Sequence, residues 1–199
     1  VAVSVSGAKD FVGNAQQSYT PNTSDFDIDT LNPSVTKITP SVATIYDGTV
    51  GAKGFTISVD FDESMDTKTN PTLTLTPSVS STLTFVSGKW SDADTYVATY
   101  DVADADVDVN TVSVDVTGAK DAAGNGQQTY TPAVSDFDID TLNPTATSFD
   151  DGDADDKVAF TTKLTYTIVF SEKIDLTSVT ADDFTNTGTA KITIGSITQ

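Results

Sequence analysis

Apolar and polar residues alternate with a period of two along much of the chain. Phe55, Ile57, Val59 and Phe61 alternate with Thr56, Ser58 and Asp60, which gives an extended strand one apolar and one polar face. Leu164, Tyr166, Ile168 and Phe170 repeat the device. Leu73 and Leu75 alternate with threonines, and Tyr96, Ala98 and Tyr100 alternate with Val97 and Thr99. Val112, Val114 and Val116 predict a further strand and residues 127–134 the closing one. Residues 34–39 and 83–85 bring the unit to about seven strands, the number a small sandwich needs. No segment shows the apolar stripe of a helix. Gly13-Asn14 and Gly124-Asn125 are expected to turn the chain with positive φ. Pro33 and Pro144 are expected to hold the preceding asparagine extended where a strand begins. Trp90 is expected in core or rim packing.

Part of this pattern is written twice. Residues 7–33 read GAKDFVGNAQQSYTPNTSDFDIDTLNP and residues 118–144 read GAKDAAGNGQQTYTPAVSDFDIDTLNP, identical at 21 of 27 positions at an offset of 111. Val1, Val3 and Val5 extend the match to Val112, Val114 and Val116. A weaker match links FDESMD at 61–66 with FSEKID at 170–175, an offset of 109. A repeat of about 110 residues is too long for a helical solenoid and suits a small β-sandwich. The expected fold is therefore all-β, with tandem immunoglobulin-like β-sandwich domains end to end. Residues 1–33 would be the C-terminal part of one repeat, 34–144 a complete repeat, and 145–199 the N-terminal part of the next. Such a chain is expected to be a stretch of a longer array.

Composition narrows the chemistry. The chain has 199 residues and a formal net charge of −19, and its ten basic residues are all lysine. A surface this acidic repels phosphates and anionic lipid, so neither nucleic acid nor a membrane surface is an expected partner. With no cysteine and no histidine, thiolate or imidazole metal sites, disulfides and His-based acid–base catalysis are excluded. No apolar run approaches the roughly 20 residues of a membrane span, and the N-terminal VAVSVSG alternates like a strand and lacks a basic leader. What remains is oxygen chemistry, which suits calcium.

The motif that concentrates it is Asp25-Phe26-Asp27-Ile28-Asp29, repeated as Asp136-Phe137-Asp138-Ile139-Asp140. Extended, its aspartates share one side and Phe and Ile the other. Their mutual repulsion is reversed by a divalent cation. In an immunoglobulin-like sandwich the loop after the second strand and the loop before the last strand share the pole that the incoming linker reaches. The first loop carries Glu63 and Asp66, with Glu172 and Asp175 in the next unit. The second carries Asp121 and Asn125, with Asp10 and Asn14 in the first. A calcium cluster is expected from Asp27, Asp29, Glu63 and Asp121, and an equivalent one from Asp138, Asp140 and Glu172. An EF-hand reading of the same run fails, because Thr30 and Thr36 would occupy positions that loop reserves for Gly and Glu. Acidic runs at 101–108 and 150–156 are expected near the opposite pole, where the first would meet Asp136 and Asp138, or else as solvated loops. Paired carboxylates are the only catalysts left, and no cleft pattern surrounds them, so no enzymatic activity is expected.

Together the DFDIDTLNP junction, the FDES and FSEK strand ends, the GAKDAAGN loop and TADDFTNTGTA at 180–190 resemble the bacterial Ig-like repeats of giant repetitive surface adhesins. That resemblance covers the whole chain. It implies an extracellular stalk on the bacterial cell surface, stiffened by calcium at domain junctions, which holds a distal adhesive region out for attachment or biofilm formation. The partners would be neighbouring repeats of the same chain, with any host or surface ligand bound elsewhere in the protein. The alternative is a subunit of a surface layer or extracellular filament, partnered by like molecules. Direct recognition of glycan or ice by the loops ranks third.

Overall fold

The computed structural model describes residues 1–152 and 163–189, with 193, 195 and 197. The chain divides into two compact units, Val1–Thr141 and Leu142–Gln199.

In the first unit the strands are β1 (Val35–Pro40), β2 (Thr44–Ile45), β3 (Gly51–Phe61), β4 (Thr72–Thr76), β5 (Leu83–Trp90), β6 (Thr95–Val102), β7 (Asp108–Thr117) and β8 (Phe137–Asp140). One sheet has the order β1-β3-β6-β5 and the other β2-β8-β7-β4. This is the immunoglobulin-type arrangement of two four-stranded sheets, in which the first strand splits between them. β1 pairs antiparallel with β3, and the chain then crosses so that β2 runs parallel to β8. The described residues contain no α-helix, only three single-turn 3-10 segments.

The alternation seen in the sequence sets the core. Phe55, Ile57, Val59 and Phe61 of β3 are buried beside Tyr96, Ala98, Tyr100 and Val102 of β6. Val112, Val114, Val116, Phe137 and Ile139 close the core from the facing sheet. Phe55 is its centre, with ring centroids 4.8 Å from Phe137 and 6.2 Å from Tyr100. Each such side chain, fully buried, contributes about 1.5–3 kcal/mol. Trp90 packs at the rim against Phe61 and Tyr96 and donates to the Thr69 carbonyl at 3.3 Å. The backbone at Gly54 leaves no room for a side chain, since a Cβ there would collide with the Thr49 carbonyl oxygen. Gly54→Ala is therefore expected to destabilise this unit by about 1–3 kcal/mol, the usual cost of overpacking. An unchanged urea midpoint would contradict that account.

The closing strand differs from the expectation. Residues 127–134 form no strand. Their side chains brace the loop above them, Gln127 donating to the Val116 carbonyl at 2.7 Å, and Val134 is exposed. The last strand is Phe137–Asp140 instead, because Phe137 and Ile139 fill the core while Asp138 and Asp140 face outward. The DFDID motif of the complete copy is thus part of the sandwich, not a linker after it.

Residues 1–31 contain no strand, but they repeat several local contacts of 112–142. The Val1 amine donates to the Phe26 carbonyl and the Val3 N–H to Asp25 Oδ2 at 2.6 Å, as the Val114 N–H does to Asp136 Oδ2 at 2.7 Å. In the second unit β9 (Ala146–Asp150) pairs with β10 (Thr167–Phe170). The register, including a bulge, matches that of β1 with β3, with Phe149 opposite Ile168 as Ile38 is opposite Val59.

Candidate metal centre

β3 and β7 end at the same pole, and the loops that follow them are stitched together through the backbone. Met65 and Asp121 form a β-bridge, the Ala122 N–H donates to the Ser64 carbonyl at 3.0 Å, and the Asp66 N–H donates to the Lys120 carbonyl at 2.8 Å. Asp121 then organises its own loop. Asn125 donates its backbone N–H to Asp121 Oδ1 and its side-chain amide to Oδ2, both at 2.7 Å. Gly124 makes the turn possible with φ of 97°, a conformation that costs glycine nothing. The expectation of positive φ at Asn125 was not met; its role is to clamp Asp121. The segment before β1 is tied to the same loop. The Asn125 amide also donates to the Asp29 carbonyl at 3.2 Å, the Asn32 amide to the Gly126 carbonyl at 2.7 Å, and the Gln128 amide to the Asn32 carbonyl at 2.8 Å.

These ties bring one carboxylate oxygen each from Asp29, Glu63 and Asp121 within 4.8 Å of one another. Asp29 is exposed, Glu63 half-buried and Asp121 buried. Glu63 Oε1 is shut off from solvent without a hydrogen-bond partner. Loss of hydration, followed by the charges of Asp29, Asp121 and Asp62, pushes the Glu63 carboxyl above its ordinary range. Burial acts in the same sense on Asp121, but the donors of Asn125, Gly124 and Ala123 outweigh it and hold that carboxyl below its usual value. The site therefore contains one carboxylate already satisfied and one that lacks a positive partner. An all-oxygen cluster with an orphaned buried oxygen fits a hard cation such as calcium, and Asp29, Glu63 and Asp121 are the residues that would hold it.

The Glu63 shift carries a sign. A carboxyl whose folded pKa is raised contributes stability below its unfolded value of 4.5 and loses it as pH rises through the folded value. In chelator, this contribution returns as pH falls from neutrality through the folded value. Glu63→Gln should abolish that component of the melting-temperature change. Asp62, Asp66 and Asp121, all lowered, act oppositely and only as pH falls below 3.8.

The other expected ligands have separate roles. Asp27 accepts from Ser24 Oγ at 3.2 Å and stands outside the trio. Asp25 accepts the Val3 N–H, Asp136 accepts the N–H of Val114 in β7, and Asp138 accepts the Thr111 N–H at 2.8 Å. Asp66 staples its own loop through the Lys68 N–H and the Thr69 hydroxyl. Asp140 stands opposite Asp108 in the β7–β8 ladder, so the 101–108 run meets Asp140 rather than Asp136. Asp101 accepts the Lys53 N–H at 2.7 Å. Asp10 and Asn14 repeat the Asp121–Asn125 clamp at 2.7 Å. In the second unit Asp175 caps the turn Leu176–Ser178. Glu172 Oε1, like that of Glu63, is buried without a hydrogen-bond partner. Asp150 accepts the Gly152 N–H, and 153–156 lie outside the described residues. Sequence reasoning missed the stitching residues Asn32 and Gln128; both belong to the repeated motif, which was the available signal.

No family model and no curated protein matches the chain. Two solved structures are similar to part of it. The S-layer protein rSbsC(31-844) is 22% identical over 61% of this chain and 15% of its own, with a TM-score of 0.34. The N-terminal part of the bacterial S-layer protein SbsC is 22% identical over 60% of this chain and 26% of its own, also with a TM-score of 0.34. The chain spans well under two thirds of either, and a likeness this partial carries no functional argument.

Proposed function

We propose that this chain is a structural extender segment of a large extracellular bacterial surface adhesin, made of Ig-like repeats and rigidified by calcium. The observation that supports this most is the meeting of Asp29, from the segment before β1, with Glu63 and Asp121 from the pole of the sandwich within 4.8 Å. Calcium, when bound, supplies positive charge and accepts six to eight oxygens in flexible geometry. Asn125 fixes Asp121 and the Asp29 backbone together, so the incoming segment is already aligned. Glu63 offers the oxygen that nothing else satisfies. A short connection between sandwiches otherwise leaves relative motion as the default. In this reading the chain has no enzymatic activity, works on the cell surface, and leaves ligand recognition to other parts of the protein.

Small-angle scattering of the 199-residue chain tests the proposal. A longer, stiffer profile in millimolar calcium than in chelator supports the extender. Identical profiles would reduce the aspartates to solvated loops.

A second reading, a subunit of a surface layer or filament, is favoured by a different observation. Apolar side chains such as Val3, Phe26, Ile28 and Tyr166 are about half or more exposed. Regular arrays of the purified protein by negative-stain microscopy would favour it over the extender.

A further inference from the structure

A sheet edge invites a further strand unless a charge, a proline, a bulge or sheer shortness blunts it. The two sheets of the first unit have four edges, and three of them are blunted. β1 carries Lys37, Pro40 and a bulge, β2 is two residues long, and β5 carries Lys89 and a bulge between Phe85 and Ser87. β4 has none of these. It reads Thr-Leu-Thr-Leu-Thr, lies on β7 in unbroken register, and among the described residues pairs with no other strand. It also falls within residues 69–88, the longest stretch of the chain without a charged side chain. On a chain of net charge −19, this is where a second negative body meets the least repulsion. Beside β4 the sandwich is open. A groove of about 490 Å³ lies between Leu73 and Leu75 of β4 and Phe85, Tyr96 and Tyr100 of the facing sheet, and no charged side chain lines it. Phe85 stands opposite Tyr100 and so on the core side of β5. It is nevertheless 56% exposed, its ring meeting that of Tyr100 edge-on at 5.7 Å.

We propose that β4 pairs antiparallel with β4 of a second copy, centred on Thr74. The occupant follows from the symmetry of the strand, since Thr-Leu-Thr-Leu-Thr reads the same in both directions. Antiparallel pairing about Thr74 puts Thr72 opposite Thr76, Leu73 opposite Leu75 and Thr74 opposite its own counterpart. Every leucine then stays on the core side and every threonine on the outer side, so neither face is mismatched. The added strand lies over the groove and sets its leucines against Phe85, and the twofold axis does the same for the other copy. Pro71 and Pro77 bound the strand and, lacking an N–H, confine the ladder to these five residues. The contact joins like surfaces, so it closes at a dimer rather than propagating. Five residues fall short of the roughly 20–30 a side of a standard interface, and the pairing is accordingly weak. Salt favours it by screening the net charge beyond about 8 Å at physiological strength. It goes beyond the extender reading and does not depend on the calcium site.

The test is sedimentation of the whole chain across a wide range of concentration and salt. Mass is expected to rise with both, toward that of a dimer. Thr74 is exposed and stands opposite Asp115 in the β4–β7 ladder, so Thr74→Lys suits the fold but sets two ammonium groups at the twofold axis. It should raise the apparent dissociation constant about tenfold or more. The urea midpoint of the dilute protein, read from Trp90, should stay where it was. The chain has no cysteine, so single cysteines can be joined by a short bismaleimide. Thr74→Cys is expected to link two copies, as is a mixture of Thr72→Cys with Thr76→Cys. Thr84→Cys, exposed on the blunted edge β5, should link far less. A monomer at every concentration and salt would overturn the inference. So would a dimer that Thr74→Lys leaves unchanged, or linking at Thr84 as efficient as at Thr74.

Discussion

Replacing Phe137 by alanine is expected to destabilise the sandwich by about 3–5 kcal/mol, a large share of the roughly 5–15 kcal/mol typical of such a domain. Phe137 is 2% exposed and packs on Phe55 between the two sheets, so truncation removes apolar burial and leaves a cavity the strands cannot close. Phe26 occupies the same place in the repeated motif yet is 49% exposed. Phe26→Ala in the monomer should change stability by no more than about 0.5 kcal/mol. Trp90, the one tryptophan, lies in this sandwich against Phe61 and Tyr96, so its fluorescence during urea unfolding reports on this unit. Equal losses for the two variants would show that the repeated motif is not differently buried in its two settings.

Calcium should raise the melting temperature of the first unit. Extracellular modules bind it with dissociation constants of about 0.1–1 mM. About 5 mM calcium would then stabilise the folded state by about 1–2 kcal/mol through mass action. For a domain of this size that is about 3–9 °C. Glu63→Gln and Asp121→Asn are expected to abolish the response. Asp27→Asn should leave it intact, since Asp27 lies outside the cluster. Magnesium, which demands a tighter octahedron, should give a smaller shift. No calcium shift in scanning calorimetry would sink the metal reading, and loss of the shift in Asp27→Asn would mean a different ligand set.

The alternation made most of the sandwich legible before any coordinates. Phe55 to Phe61 and Tyr96 to Tyr100 declare a buried face by period alone, and six strands stand where the pattern puts them. β2 was illegible because two residues carry no period; only its partner β8 makes it a strand. Residues 127–134 misled because threonines and a tyrosine look like a strand, whereas only Phe137 and Ile139 have core volume to fill. At the site, Glu63 and Asp121 could be paired from loop positions in a known topology. Asp29 and Asp27 could not be told apart, since both lie on the same side of one extended segment. The bonds that select Asp29 come from Asn125, Asn32 and Gln128, and partner choice of that kind has no sequence period. One compositional sign went unused. Among 29 acidic residues only two are glutamates, Glu63 and Glu172, at matching positions, and both have a buried oxygen without a hydrogen-bond partner.

The parallel pairing of β2 with β8 determines how the sandwich meets tension. A pull along the chain enters ahead of β1 and leaves after β8. Because β2 and β8 run the same way, with Thr44 opposite Asp138 and Ile45 opposite Ile139, that pull drives the two strands past each other lengthwise. Their hydrogen bonds, including the Asp138 N–H to the Ala43 carbonyl at 2.9 Å, are then loaded together rather than peeled one after another. Ile45 and Ile139, both fully buried, must slide out of the core in the same step. Force tolerance thus rests on a two-residue strand, and it is read as an unfolding rate under load rather than as a free energy.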